Sequence, residues 1–349
     1  MHANTNANEM YEYLKSILAD VVPDVELFYK AELAVQINQL KKEKNAVILG
    51  HNYMEPVLYH SVTDIKGDSL ELSRQAAATD KDVIVFCGVK FMAETAYILN
   101  PTKTVLLPAE AGCSLAASIT AQDVRALKAR FPGVPVVTYV NTYADVKAES
   151  DICCTSGNAV AVVQSLGAQT VIFLPDEYLA KNVAKETGKH IIFPMAGKTL
   201  PAEGDTGLDY QMIGWKGRCE VHEKFTLADI RSVREQFPDV LILAHPECSP
   251  EVVAASDYSG STTAMIRYVE NTHAPRYLIL TECSMGDNIA AANPDKNMLR
   301  LCSVRCPHMN QITMENTLDA LKYNRIQIRV PEEIRLRAVK AVERMIAIG

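Results

Sequence analysis

The chain has 349 residues, of which 48% are hydrophobic and 22% charged, with a formal net charge of -7. This is enough apolar content for a large core and two or three domains, and the acidic balance argues against a nucleic-acid protein, which needs a basic excess to displace counterions from phosphates. Residues 1–10 lack the basic start and apolar stretch of a secretory signal, and no apolar run approaches the roughly 18 residues of a membrane span. A cytoplasmic protein is therefore expected, whose nine cysteines read as free thiols or metal ligands more than as disulfides.

In chain order, residues 26–44 place Leu33, Ile37 and Leu40 at helical spacing among charged residues. The apolar run 46–49 then ends in Gly50-His51-Asn52-Tyr53, the pattern of a buried strand that delivers polar groups at its C-terminal end. A helix from about 68, a strand at 82–87, a helix at 90–99 and a strand at 104–107 lead to Gly112-Cys113. The order restarts with a helix at 120–130, N-capped by Thr120, and a strand at 134–140 that ends in Tyr139-Val140-Asn141. Strands at 152–155, 170–174 and 190–193 alternate with helices at 159–166 and 177–187. A polar insertion at 195–210 and the stretch 215–222, with Cys219, close this second segment. The third begins at Thr226, runs through a strand at 240–244 into His245-Pro246-Glu247, and continues with a helix to about 271 and a strand at 277–281. A helical turn near 288–292 and the stretch 298–301 lead to Cys306, and a last helix is expected with Pro331 at its first position.

Each segment thus repeats strand, polar strand end, Gly/Ser/Thr-rich helix start, strand, helix, strand and cysteine. Strands alternating with helices predict an α/β fold of three-layer αβα units with parallel sheets, divided at 1–117 (with an N-terminal helical arm), 118–223 and 224–349 (with a C-terminal helix). Ligands gather at the C-terminal ends of such strands, so three facing sheets would set His51, Asn141 and His245 around one central cleft.

Cys113, Cys219 and Cys306 each follow the last strand of a segment and are read as thiolates for one shared metal site. Cys87, Cys153 and Cys154 lie in apolar strands, where cysteine behaves as a small hydrophobe; Cys248 and Cys283 fit either reading. Zinc would call for four closed ligands, with His222 or His308 completing the set, whereas three thiolates on an iron-sulfur cluster leave one iron open for Lewis-acid chemistry. His51, Tyr53, His245 and Glu247 are candidate acids and bases, while His190 and His273 are assigned no role. The starts Gly67-Asp68-Ser69, Thr155-Ser156-Gly157 and Gly260-Ser261-Thr262 offer free amides and hydroxyls to anions, or serve only as N-caps. A metal-free module binding a small dicarboxylate or sugar phosphate stays open at this point.

Gly50-His51-Asn52-Tyr53, Gly67-Asp68-Ser69, Tyr139-Val140-Asn141-Thr142, Thr155-Ser156, Gly217-Arg218-Cys219-Glu220-Val221-His222, His245-Pro246-Glu247, Gly260-Ser261-Thr262 and Cys306-Pro307-His308-Met309 together resemble the quinolinate synthases of NAD biosynthesis. The resemblance implies three pseudo-symmetric αβα domains around a 4Fe-4S cluster held by Cys113, Cys219 and Cys306, whose open iron acts as a Lewis acid. It also implies condensation of iminosuccinate with dihydroxyacetone phosphate, with functional coupling to an aspartate-oxidising enzyme. Substrate contacts would fall to His51, Ser69, Tyr139, Asn141, Ser156, His245, Glu247 and Thr262, together with Val140 and Pro246 of the same motifs. Tyr53 and Glu247 would transfer protons, assisted by His245. Some members carry C-x-x-C-x-x-C before the proline, where this chain has only Cys302 and Cys306, and shorter members lack the insertion 195–210.

Overall fold

A computed structural model describes residues 6–194, 210–300 and 303–348, so Cys302 and all but the last residue of the insertion 195–210 lie outside the described residues. The first sheet holds β1 (Ala46–His51), β2 (Ile65–Gly67), β3 (Val83–Cys87) and β4 (Thr104–Leu106) in the order β2-β1-β3-β4. The second, ordered β6-β5-β7-β9-β8, is built from β5 (Val136–Tyr139), β6 (Ile152–Cys154), β7 (Val171–Leu174), β8 (Ile191–Ile192) and β9 (Met212–Gly214). The third orders β10 (Val240–Ala244), β11 (Tyr258–Ser259) and β12 (Arg276–Leu280) as β11-β10-β12, and Met298 bridges in parallel to Tyr277 beyond β12. Every strand pair is parallel. Helices cover these sheets, which is why β1, β5 and β7 are buried along their whole length and read as continuous apolar runs.

In all three sheets the chain steps from its first strand to a neighbour on one side and then returns to the other side. That reversal opens a crevice at the C-terminal strand ends. One local device recurs with it. An aspartate one position before the second strand accepts a hydrogen bond from a first-strand amide: Ile48 N to Asp64 Oδ2, Val136 N to Asp151 Oδ2 and Ile242 N to Asp257 Oδ2, each 2.8 Å. The same aspartates donate their own amides to Ile48 O, Val136 O and Ile242 O, so the register of strands one and two is pinned alike in each sheet.

Several elements lie beyond the sequence reading. A helix at Ala7–Leu18, closed by an Asn6/Glu9 capping box, buries Met10, Leu14 and Leu18 at every fourth position against the helix Asp24–Glu43. Each such side chain contributes about 1.5–3 kcal/mol on burial, so Leu14→Asp would detach this helix. The helix Cys283–Ala292 is longer than the turn expected near 288–292. Residues after Cys306 return to the first sheet: the helix Met314–Tyr323 packs on Asp24–Glu43, and Ile328 N donates to Val105 O at 2.9 Å. The last helix is Glu332–Ile346, with Pro331 as its N-cap rather than its first residue.

Two glycines are required by close approach. A Cβ on Gly50, inside β1, would meet Thr63 Cγ2 at 2.6 Å, and one on Gly217 would meet Ser118 Oγ at 2.5 Å and the Pro175 carbonyl oxygen at 2.6 Å. The second obstacle is backbone and cannot rotate away. Gly217→Ala is therefore expected to lower the thermal midpoint, through about 1–3 kcal/mol of overpacking, and to displace the turn that carries Cys219. Calorimetry would check this; an unchanged midpoint would mean that the loop relaxes freely.

Candidate active site

The three cysteines expected to share a site line one cavity, and each arrives on the same turn. Cys113, Cys219 and Cys306 stand three residues before the short 3-10 helices Ala116–Ser118, His222–Lys224 and Met309–Gln311. Their carbonyls accept from Ala117 N, Glu223 N and Asn310 N, four residues on, at 3.0, 3.1 and 3.0 Å. Backbone amides two and three residues on approach each sulfur, from Leu115 and Ala116, from Val221 and His222, and from His308 and Met309. Seven residues after each cysteine, Thr120, Thr226 or Thr313 caps the next helix. All three cysteines line one cavity between the three sheets.

Burial raises the Cys113 thiol to about 12 and pushes up those of Cys219 and Cys306, against the lowering effect of the amides. As bare thiols they keep their protons at neutral pH. A metal would deprotonate them outright, and amides aimed at sulfur suit the thiolates of an iron-sulfur cluster, whose potential such hydrogen bonds tune. The donor set therefore fits a cluster with three protein ligands. A second combination exists beside it, because donor atoms of Cys219, His222 and Glu247 all lie within 4.8 Å of one another.

The strand ends supply the rest of the wall. The chain turns as it leaves each strand, with Met54 N donating to His51 O and Cys248 N to His245 O, and in His51-Asn52-Tyr53, Tyr139-Val140-Asn141 and His245-Pro246-Glu247 the outer residues line the cavity while the middle ones do not. Val140 and Pro246, carried over as substrate contacts, are thereby placed away from the cavity. Val140 is buried and its amide donates to Cys154 O at 2.8 Å, while the Pro246 carbonyl accepts from Asn182 Nδ2 at 2.8 Å.

Two histidines share one arrangement. Tyr53 N donates to His51 Nδ1 at 3.2 Å, and Glu247 N donates to His245 Nδ1 at 3.3 Å. With Nδ1 an acceptor, the neutral ring carries its proton on Nε2. Burial brings His51 down to about 4 and, with His222 and His51 beside it, His245 to about 3, despite the nearby carboxylates. Both are thus neutral Nε2–H donors at neutral pH, and Ser156 Oγ lies 3.3 Å from His245 Nε2.

Glu247 is the electrostatic centre. Burial works to raise its carboxyl, but His222 and His245 and the hydrogen bonds from His222 and Tyr139 hold it below the usual carboxylate range. Tyr139 Oη donates to Oε1 at 2.5 Å and Asn141 Nδ2 at 3.3 Å, while Oε2 pairs with His222 Nδ1 at 2.6 Å. From His222 Nε2 the contacts continue to Thr281 Oγ1 at 2.8 Å and from there to Tyr53 Oη at 2.5 Å. Tyr53 and Tyr139 are pushed well above 10 by burial, then by Glu247, so both keep their protons. A continuous path thereby joins Glu247 to Tyr53.

The helix starts also converge. Ser69 opens the helix Ser69–Ala78, Ser156 precedes Ala159–Ser165 and Thr262 opens Thr262–Asn271, and all three line the cavity. Asn158 fixes the second of these loops: its Oδ1 accepts from Thr155 N at 2.8 Å and its Nδ2 donates to Met345 O in the last helix and to Ile348 O just beyond it.

His222 was read from sequence only as a possible fourth zinc ligand. Its spacing of three from Cys219 was the available signal, since the 3-10 turn brings it back over the site, where it stacks on His245 at 4.5 Å. His308 lines the cavity but pairs with Glu220 at 3.0 Å. Cys87, Cys153, Cys154 and Cys248 are buried and free. Cys283 is disulfide-bonded, which corrects at that position the expectation of free thiols. Among the described residues no helix is long and apolar enough to cross a membrane.

Comparison with known proteins gives a consistent result. The family model described as NadA, quinolinate synthetase A protein, matches residues 35–347. Quinolinate synthase 2 of Mesorhizobium japonicum is 56% identical over 313 residues, covering 89% of this chain and 90% of that protein. Quinolinate synthase of Agrobacterium fabrum is 52% identical over 332 residues, 95% of this chain and 90% of its own length. The Xylella fastidiosa (strain 9a5c) quinolinate synthase is 53% identical over 313 residues, 89% and 86% of the respective chains.

Proposed function

The chain belongs to the quinolinate synthetase A family and is an enzyme, and from that premise we propose that it makes quinolinate for NAD biosynthesis from iminosuccinate and dihydroxyacetone phosphate. The balance is one of each substrate to one quinolinate, one phosphate and two waters, with no external oxidant or reductant. The observation that carries this reading is the thrice-repeated cysteine turn opening into one cavity with Glu247. On the same reading the chain is three pseudo-symmetric αβα domains around that cavity, a view supported by the recurring aspartate and threonine positions.

A 4Fe-4S cluster held by Cys113, Cys219 and Cys306 would supply an iron without a protein ligand, a Lewis acid toward substrate oxygen or carboxylate. The protein's own groups divide the remaining work. His51 and His245 offer Nε2–H to the carboxylates of iminosuccinate, and Ser69, Ser156 and Thr262 add hydroxyls at helix starts, where the dipole favours anions. Tyr139 and Asn141 hold one oxygen of Glu247. Ring formation requires protons to be taken from carbon and given to departing hydroxyls. Glu247, ionised at neutral pH, is the acceptor; Tyr53, which keeps its proton, is the donor; His222 and Thr281 connect them. Because iminosuccinate hydrolyses readily, an aspartate-oxidising enzyme would supply it at the point of use.

The test is to purify the protein without oxygen and assay quinolinate from dihydroxyacetone phosphate and imine generated in situ. Quinolinate formed in step with phosphate release is expected; phosphate release without quinolinate would refute the condensation. The convergence of Cys219, His222 and Glu247 favours a second reading, a single zinc ion on those three groups. Metal analysis separates the two: iron with sulfide supports the cluster, and one zinc without sulfide supports the alternative.

A further inference from the structure

Asn52 lies between two cavity residues but faces away from the cavity, and is 1% exposed. Its Nδ2 donates to Thr262 Oγ1 at 2.9 Å and to Thr263 Oγ1 at 3.3 Å, across from the first sheet to the third. Its Oδ1 accepts from Tyr59 Oη at 3.1 Å, which fixes the amide orientation. The backbone is held as well, since Asn288 Nδ2 donates to Asn52 O at 3.3 Å and Met54 O at 2.9 Å. Thr263 Oγ1 also accepts from Asp68 N at 3.2 Å, and Ser261 Oγ donates to Asp68 Oδ2 at 2.9 Å. The helix starts bearing Ser69 and Thr262 are thus fastened to each other around Asn52.

A hydroxyl has one proton to give and lone pairs with which to accept. Thr262 Oγ1 receives a hydrogen bond from Asn52, and among the described residues no acceptor takes its proton, while Thr262 lines the cavity. We propose that Asn52 is a positioning residue: by donating to Oγ1 it leaves the Thr262 hydroxyl as an obligate donor to a carboxylate in the cavity, with Tyr59 setting the amide. This rests on the dicarboxylate reading given above. The isosteric Asn52→Asp would replace the donor by an acceptor, and the hydroxyl proton would turn back toward residue 52 and away from the ligand.

The experiment uses cluster-loaded protein and two readouts, steady-state kinetics for iminosuccinate and calorimetric binding of L-malate, a stable four-carbon dicarboxylate with oxygen in place of the imine nitrogen. Asn52→Asp is expected to raise KM for iminosuccinate and Kd for malate together by about 10- to 100-fold, the range for one hydrogen bond to a charged group, with kcat within about twofold as uniform binding predicts. Tyr59→Phe, a milder change that guards against misfolding of the first variant, should shift both constants in the same direction by a few fold. In a Thr262→Val background Asn52→Asp should add less than about twofold, because the hydroxyl it acts on is gone. An effect of Asn52→Asp that persists in full without the hydroxyl, or a fall in kcat with KM unchanged, would overturn the proposal. Unaltered malate binding in both single variants would do the same. Failure of the wild-type protein to bind malate at all would instead strike the dicarboxylate reading itself.

Discussion

Alanine at any one of Cys113, Cys219 or Cys306 is expected to strip iron and sulfide from protein prepared without oxygen, and to take quinolinate formation below detection. The expectation follows from symmetry of construction. Each sulfur has the same two amides and the same turn, so none is a spare, and loss of one leaves two thiolates, too few to hold a four-iron cluster firmly. Cys87→Ala provides the contrast. Its sulfur is fully buried, 3.7 Å from Thr317 Oγ1 and outside the cavity, so that variant should keep its iron and lose only a little stability. Iron and sulfide retained in any of the first three variants, or lost in the fourth, would sink the assignment. Visible absorption and metal analysis report on it independently of turnover.

Glu247→Gln is expected to lower kcat by about 10²- to 10⁴-fold, the range of a lost general acid or base, while the visible spectrum of the cluster stays as in the parent. Gln keeps nearly the same volume and can still accept from Tyr139 at Oε1. It cannot take up a proton, and if its amide nitrogen faces His222 it meets Nδ1 as a donor. The path from Glu247 through His222 and Thr281 to Tyr53 is then cut at its first member. Tyr53→Phe cuts it at the last, so the double variant should be little worse than Glu247→Gln alone. Undiminished turnover in Glu247→Gln would assign proton transfer elsewhere, and loss of the spectrum would turn Glu247 into a structural support of the cluster.

Much of this arrangement could be read from the sequence because buried parallel strands are written as short apolar runs. The runs 46–49, 134–140 and 240–244 end in polar stretches, of which His51, Tyr53, Tyr139, Asn141, His245 and Glu247 line the cavity. Val140 and Pro246, inside the turns that follow these strands, do not, a distinction that a matched motif conceals. His222 was harder to read: its partner Glu247 is 25 positions away in the chain and on another sheet, and no local pattern encodes such a meeting. The helix Ala7–Leu18 is written in Met10, Leu14 and Leu18 at every fourth position, but the polar residues between them dilute the apolar pattern. Cys283–Ala292 was cut short in the reading because Gly286, a poor helix former, interrupts it. The common geometry of the cysteine turns is not written in their side chains, since the residues that follow each cysteine differ and only the backbone repeats.

That backbone repetition bears on how the chain is held together as well as on what it binds. The three sulfurs are separated by 106 and 87 positions (219 − 113 and 306 − 219), so a cluster joining them would act as a three-way cross-link over very long loops. Closing loops of that length removes more freedom from the unfolded chain than closing short ones, although each doubling adds only about 0.6 kcal/mol. On that reading the loss of the cluster would remove a staple at the same moment as a catalyst.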